Sequence, residues 1–195
     1  MMASPRRVVV ASKNPDKVRE VEAVLERMDH PWEIVRGLDW PDVEETEPTL
    51  KGNALLKAVA VSEATGMAAI ADDTGLEVDA LDGRPGVLSA RFAGPDATYE
   101  QNVDRLLTEL DGMDERSARF RTVIAFVVPE AEPVVVEGVL EGSITAERRG
   151  DRGFGYDPVF AVGDCTYAEM SDDEKNRVSH RARALRALVV ALEDQ

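Results

Sequence analysis

Apolar residues fall along this chain in short runs and in spaced stripes, the pattern of buried strands interleaved with amphipathic helices. Val8-Val9-Val10-Ala11 is an unbroken apolar run and reads as a first buried strand. Asn14-Pro15 then supplies a capping side chain and a proline suited to a first helical turn. Val18, Val21, Val24 or Leu25, and Met28 recur at helical spacing, so a helix to about Met28 is expected. Residues 33–37 read as a second strand. Residues 49–65 place Leu50, Ala54, Ala58 and Val61 on one side of a second helix, with Gly66 as its stop. Met67-Ala68-Ala69-Ile70-Ala71 follows as a third strand and ends abruptly at Asp72-Asp73. Thr98 and Gln101 form a capping box for a helix over 98–110. The strand-like runs 119–128 and 133–144 are joined by Pro129-Glu130-Ala131-Glu132, a connection short enough to predict an antiparallel pair. Ser171-Asp172-Asp173-Glu174 opens a last helix to about Leu192, with Val178, Ala182, Leu185, Leu188 or Val189, and Leu192 on its buried side. The order βαβαβ, then helix, then hairpin, predicts an α/β protein.

Composition narrows the class. A chain of 195 residues makes one domain or two small lobes, and 44% hydrophobic content is enough for a core. Acidic residues number 38 against 23 basic ones, and the net charge of -15 opposes nonspecific binding to a nucleic-acid backbone. Any polyanion must therefore be met by local cations or a metal. Cys165 is the only cysteine, which excludes an intrachain disulfide and a cysteine-cluster zinc site and fits a reducing, cytoplasmic compartment. The opening residues are followed by too few apolar positions for a leader, and no run is long enough to cross a membrane.

Four stretches carry candidate chemistry. Asp72-Asp73, at what reads as a strand's exit, is a pair of carboxylates that repel each other unless a cation or proton intervenes, so it invites a divalent metal. Asp, Thr and Gly are equally the material of a turn. Ser12-Lys13-Asn14-Pro15-Asp16-Lys17 joins the first strand to the first helix and combines a helix start, a hydroxyl and two lysines. It reads either as a phosphate cradle or as an ordinary solvated helix start. Asp42-Val43-Glu44-Glu45-Thr46-Glu47 reads as a solvated acidic loop, or as the donor of one oxygen to a nearby metal. In Gly153-Phe154-Gly155-Tyr156-Asp157-Pro158, glycines leave room around two aromatic rings, which either stack a nucleobase or plug a core. Lys175, His180 and Arg181 lie off the stripe of the last helix, where solvated side chains are the ordinary expectation.

Taken together, several motifs resemble one family, the Ham1-like inosine triphosphate pyrophosphatases, also called XTP/dITP diphosphatases. The resemblance rests on Ala11-Ser12-Lys13-Asn14 with Lys17, on Ala71-Asp72-Asp73-Thr74-Gly75-Leu76, and on Pro85-Gly86-Val87 with Ser89-Ala90-Arg91-Phe92. It is completed by Gly153-Phe154-Gly155-Tyr156-Asp157-Pro158 and Ser179-His180-Arg181, in the family's order over almost the whole chain. It implies a single domain over residues 1–195 with an elongated α/β fold, a central mixed sheet flanked by helices and two lobes around a nucleotide cleft, as a homodimer. It also implies Mg²⁺-dependent hydrolysis of ITP, dITP and XTP to the monophosphate and pyrophosphate. On this resemblance Asp73 is a metal ligand and the catalytic base, and Glu45 the second metal ligand. Ser12, Lys13, Asn14, Pro15, Asp16, Lys17 and Thr74 hold the triphosphate. Phe154, Gly155, Tyr156 and Asp157 cover the base, and Lys175, His180 and Arg181 reach the nucleotide, with Arg181 reading the purine 6-oxo group.

The chain departs from the family pattern at Gly52-Asn53-Ala54, where many members read Glu-Asn-Ala; Thr74 stands for a serine and Lys13 for a small residue. Two rival readings are a Maf-like nucleotide pyrophosphatase and a nucleotide-binding regulatory module without catalysis. The motifs at 154–157 and 179–181 oppose the first, and intact Asp72-Asp73 with the lysine-bearing first turn opposes the second.

Overall fold

The computed structural model describes residues 6–28 and 32–193, so residues 1–5, at which the expectation of no leader begins, lie outside the described part. The first half alternates as the hydrophobic pattern predicts: β1 (Arg6–Val10), α1 (Pro15–Arg27), β2 (Trp32–Ile34), α2 (Leu50–Thr65) and β3 (Ala68–Val78). A two-residue β4 (Pro85–Gly86) precedes α3 (Tyr99–Glu109). Then follow β5 (Ser117–Val127), β6 (Val134–Ile144), β7 (Phe160–Val162), β8 (Cys165–Thr166), α4 (Asp172–Val178) and α5 (His180–Glu193). The strands form one mixed sheet in the order β2-β1-β3-β5-β6-β7-β8, with β4 pairing β3. β1 runs parallel to both β2 and β3, as the intervening helices require, while β4, β7 and β8 pair antiparallel.

Local chemistry fixes the helix ends. Asn14 caps α1, its side chain accepting from the Asp16 and Lys17 N–H groups. Thr49 caps α2, which stops at Gly66 in the left-handed region at φ 67°. Thr98 and Gln101 close the predicted capping box on α3.

Two compact units share the chain. One is drawn from Met1–Asp73, Thr122–Gly138 and Arg181–Gln195, the other from Thr74–Arg121 and Val139–His180. The first has a core of Val8, Val10 and Ile70 packed with Val21, Val24 and Leu25 of α1 and Leu185 and Leu188 of α5. Trp32 stacks on Phe126 there, rings 5.4 Å apart and 9° from parallel. The second has its own core, including Leu76, Val78, Leu106, Leu110, Phe120, Phe160 and Tyr167.

Three expectations change. The third strand does not end at Asp72-Asp73: β3 continues through both carboxylates, Thr74 and Gly75 to Val78. Turn-forming residue types are overridden because both carboxylates are buried among cations, so their local preference for solvent does not decide the backbone. The second strand is shorter than expected and begins earlier, at Trp32. The closing helix is two helices, because Ser179 is extended (φ -59°, ψ 154°) and separates α4 from α5. Val178, expected on the buried stripe, is consequently exposed, whereas Ala182, Leu185 and Leu188 are buried as predicted. Among the described residues no helix is long and apolar enough to cross a membrane.

Thr98→Ala, which removes the side-chain half of the α3 cap, is expected to cost about 1 kcal/mol in urea unfolding. The solvent-facing Thr108→Ala on the same helix should stay within about 0.5 kcal/mol of the parent.

Candidate active site

Adjacent residues of a strand point to opposite faces of its sheet, and this rule divides Asp72 from Asp73. Asp72 turns to α1 and α5. Its Oδ2 accepts from Arg181 Nη2 at 3.1 Å and Nε at 3.3 Å, and Lys17 Nζ lies 3.3 Å away. Glu20 of α1 holds the other side of the Arg181 guanidinium. Asp73 turns to α2. Its Oδ1 accepts from Lys57 Nζ at 3.0 Å and its Oδ2 from Asn53 Nδ2 at 3.4 Å. The adjacent carboxylates are therefore not a dyad sharing one cation, as their sequence position suggested. Each has its own partners.

Their ionisation diverges accordingly. Burial pushes Asp72 upward, but the charges of Lys17, Arg181 and Lys57 outweigh it and hold the carboxyl far below the usual carboxylate range. Burial also pushes Asp73 upward, and here the charge of Glu45 adds to it, so the Asp73 carboxyl stays above its ordinary value despite Lys57. Burial alone would lower Lys57, yet Asp73, Asp72 and Glu45 keep it raised and charged. Arg181 is likewise raised by Asp72 and Glu20 against its burial.

The acidic loop reaches this cluster. Lys57 Nζ also donates to Glu45 Oε1 at 2.6 Å, so Glu45 and Asp73 converge on one ammonium. This selects Glu45 rather than Glu44 as the residue facing Asp73. Two carboxylates converging on a cation are a donor set that fits Mg²⁺, which takes one or two carboxylates and completes its shell with phosphate oxygens and water. Among the described residues no cluster of three or more acidic, histidine or cysteine side chains offers a fuller cage. At the Gly52 departure a β-carbon would lie 2.6 Å from Glu47 Cβ and 2.9 Å from its Oε2, so the Glu47 side chain covers that position.

The first turn is more self-satisfied than a phosphate cradle needs to be. The Asn14 N–H donates to Ser12 Oγ at 3.2 Å, and Asn14 Oδ1 takes the Asp16 and Lys17 N–H groups. What the turn offers an anion is charge: Lys17 beside Asp72, and the half-exposed Lys13, which pairs with Asp42 at 2.5 Å.

In the second unit the 153–158 loop is organised on Asp157. Its buried Oδ2 accepts from the Phe154 N–H at 2.8 Å and from Lys175 Nζ at 2.5 Å. A β-carbon at Gly153 would sit 2.0 Å from the same oxygen, and φ there is +74°, so glycine is required. Lys175 lies 4.9 Å from the Phe154 ring centroid. Of the two aromatic rings only Phe154 is accessible. Tyr156 is a core residue whose hydroxyl donates to the Ser89 carbonyl at 2.9 Å, and burial raises its phenol. His180 is buried in an aromatic stack, 4.5 Å from Phe120. Gly155 takes φ +62° beside Phe154, and Thr74 is half-buried on β3. The solvated trio expected on the last helix is thus three buried side chains.

Lys57, Asn53 and Glu20 were not singled out from the sequence. A signal existed: Asn53 and Lys57 are four residues apart on the buried face of α2, so a polar pair interrupts an apolar stripe. Ser179, a residue type suited to opening a helix, likewise marked the break before α5.

A family model described as the Ham1 family matches residues 8–191. The chain belongs to the Ham1 family. Among other Ham1 relatives, the dITP/XTP pyrophosphatase of Bacillus licheniformis is 47% identical and aligns over 96% of this chain and 98% of its own. The solved Ham1 protein of Staphylococcus aureus superposes with a TM-score of 0.85 at 37% identity, covering 97% of this chain and 99% of that one. The Ham1 protein of Coxiella burnetii does so with 0.85 at 39%, covering 97% and 100%. The mixed α/β fold of this Ham1 chain is therefore the family's.

The split between the carboxylates predicts a split in stability. Because Asp72 is depressed when folded, its contribution is present above the unfolded value of about 4 and is lost as pH falls below it. Asp72→Asn should cost roughly 3–5 kcal/mol at neutral pH, since buried Arg181 and Lys17 lose their partner, and should flatten the acid limb of the stability profile. Because Asp73 is raised when folded and Lys57 keeps Glu45 as a partner, Asp73→Asn should cost less than Asp72→Asn. Equal losses in urea unfolding would contradict the division.

Proposed function

We propose that this protein hydrolyses the noncanonical purine triphosphates ITP, dITP and XTP to the monophosphate and pyrophosphate, with Mg²⁺ held by Asp73 and Glu45. The observation that carries the reading is the convergence of these two carboxylates on Lys57, with Lys17 of α1 meeting the adjacent Asp72. The names of the Bacillus relatives support the reaction class. In the same proposal the chain works as one two-lobed domain, as a homodimer, in the cytoplasm.

Breaking a phosphoanhydride requires neutralising oxygens that already carry charge, placing a water in line and stabilising the departing pyrophosphate. When bound, Mg²⁺ supplies Lewis acidity to the phosphate oxygens and a water of lowered pKa. Lys17 and Lys57 bring charge to the phosphates from two helices, Lys13 adds to it with Ser12, Asn14, Pro15 and Asp16 of the same turn, and Thr74 offers a hydroxyl from β3. Asp73 accepts the proton of the attacking water. Asn53 holds one of its oxygens by a donated hydrogen bond, leaving the other toward Lys57.

In the same proposal the second unit recognises the base, where Phe154 offers a ring face and Lys175 a donor, both held by Asp157, with Gly155 in the same loop and Tyr156 and His180 in the core behind it. A 6-oxo purine presents an acceptor where adenine presents a donor, so a donor beside the ring favours it. Arg181 is held by Asp72 and Glu20 in this structure, and two of its five N–H groups are not used by those bonds.

Pyrophosphate release from ITP, XTP, dITP, GTP and ATP, measured side by side with Mg²⁺ and with a chelator, tests the reading. ITP and XTP are expected to exceed ATP in kcat/KM by about a hundredfold or more, and chelation to abolish turnover. Asp73→Asn should lower kcat by about 10²-fold or more. Equal rates for ITP and ATP would remove the base-reading claim, and near-parental activity of Asp73→Asn would remove the base.

A further inference from the structure

Glu45 comes from an irregular segment, residues 35–49, that has no strand or helix of its own to hold it. Something must fix that segment against α2, or the spacing between Glu45 and Asp73 would vary with every motion of the loop. Two neighbouring residues at the start of α2 do so. The Asn53 side chain is fully buried and faces both partners at once: its Oδ1 accepts from the Glu47 N–H at 3.0 Å, and its Nδ2 donates to Asp73 Oδ2 at 3.4 Å. One amide group therefore ties the backbone of the acidic segment to the carboxylate opposite it. Gly52 provides the clearance. Glu47 packs so closely on it that a β-carbon would lie 2.6 Å from Glu47 Cβ and 2.8 Å from Cγ, a contact relieved only by moving the segment. Lys57, one turn further along α2, then finds Glu45 and Asp73 within reach together.

We propose that Gly52 and Asn53 form a docking point that sets Glu45 against Asp73, and that its purpose is divalent-cation affinity. Both are positioning residues. Neither touches the reacting atoms; they act through the placement of the two carboxylates, in the way groups behind a metal's own ligands govern its affinity. The proposal deepens the reading of the site given above and rests on it.

Gly52→Ala separates positioning from folding. Gly52 is inside α2 and its φ is not in the left-handed region, so alanine favours the helix while its methyl group displaces Glu47. The first readout is made on the metal-free protein, where exchange of the Glu47 amide hydrogen should quicken in the variant. The second is titration with Mg²⁺ or Mn²⁺ in the absence of nucleotide, followed by the fluorescence of Trp40, which lies in the same segment; apparent affinity should fall by about tenfold or more. In turnover, the variant should need more Mg²⁺ for half-maximal rate while KM for ITP at saturating Mg²⁺ stays near the parental value. The double variant Gly52→Ala with Glu47→Gly removes the atoms the methyl group meets but keeps the N–H that Asn53 accepts, and should restore cation affinity. A Gly52→Ala protein with parental amide exchange and parental cation affinity, or a double variant no better than the single one, overturns the proposal. An inactive parent protein would instead overturn the reading of the site, and the two failures are distinct.

Discussion

The structure depends on burying two ionised carboxylates in the middle of a strand without leaving either uncompensated. An unpaired charge at such depth costs several kcal/mol, so β3 holds its course through Asp72 and Asp73 only because helices on the two sides carry cations to meet them. The alternation of the strand sends Asp72 to Lys17 and Arg181 and Asp73 to Lys57. From that division come the two roles. Asp72 is saturated by charge and binds elements of the first unit together. Asp73 is crowded by Glu45 and burial, and keeps an affinity for a proton or a metal cation.

The sequence revealed a good deal of this where local chemistry decides the outcome. The helix starts at Asn14, Thr49 and Thr98 and the stop at Gly66 were legible because a side chain or a left-handed glycine settles each within a few residues. The extension of β3 past its carboxylates was not, since Asp-Asp-Thr-Gly favours a turn until partners from α1, α2 and α5 are present. The break at Ser179 was marked only by a residue type suited to a helix start, since helical spacing continues across it. That break is what turns Lys175, His180 and Arg181 from expected surface residues into buried ones.

The candidate site was legible as residue types and less so as contacts. Asp73 and Glu45 do meet in the first unit, with Lys17 at the adjacent Asp72, while Phe154, Asp157 and Lys175 assemble in the second. Tyr156 and His180 serve their surroundings from the aromatic core. Lys57 and Asn53 left only a weak trace, a polar pair interrupting the apolar stripe of α2, because a lysine and an asparagine on a helix are common. Only the position of α2 against β3 gives them carboxylates to hold. The Gly52 departure reads differently once Glu47 is seen to cover it: the space a β-carbon would fill is taken by the loop's own side chain.

The opposite environments of the neighbouring carboxylates are the centre of this account, and carboxyl-carbon NMR of the metal-free protein across an acid titration observes them directly. The resonance of Asp72 is predicted to stay at its ionised position through the range where ordinary aspartates protonate, and that of Asp73 to move at higher pH than they do. Two resonances that titrate together at the ordinary value, or in the reverse order, would contradict it.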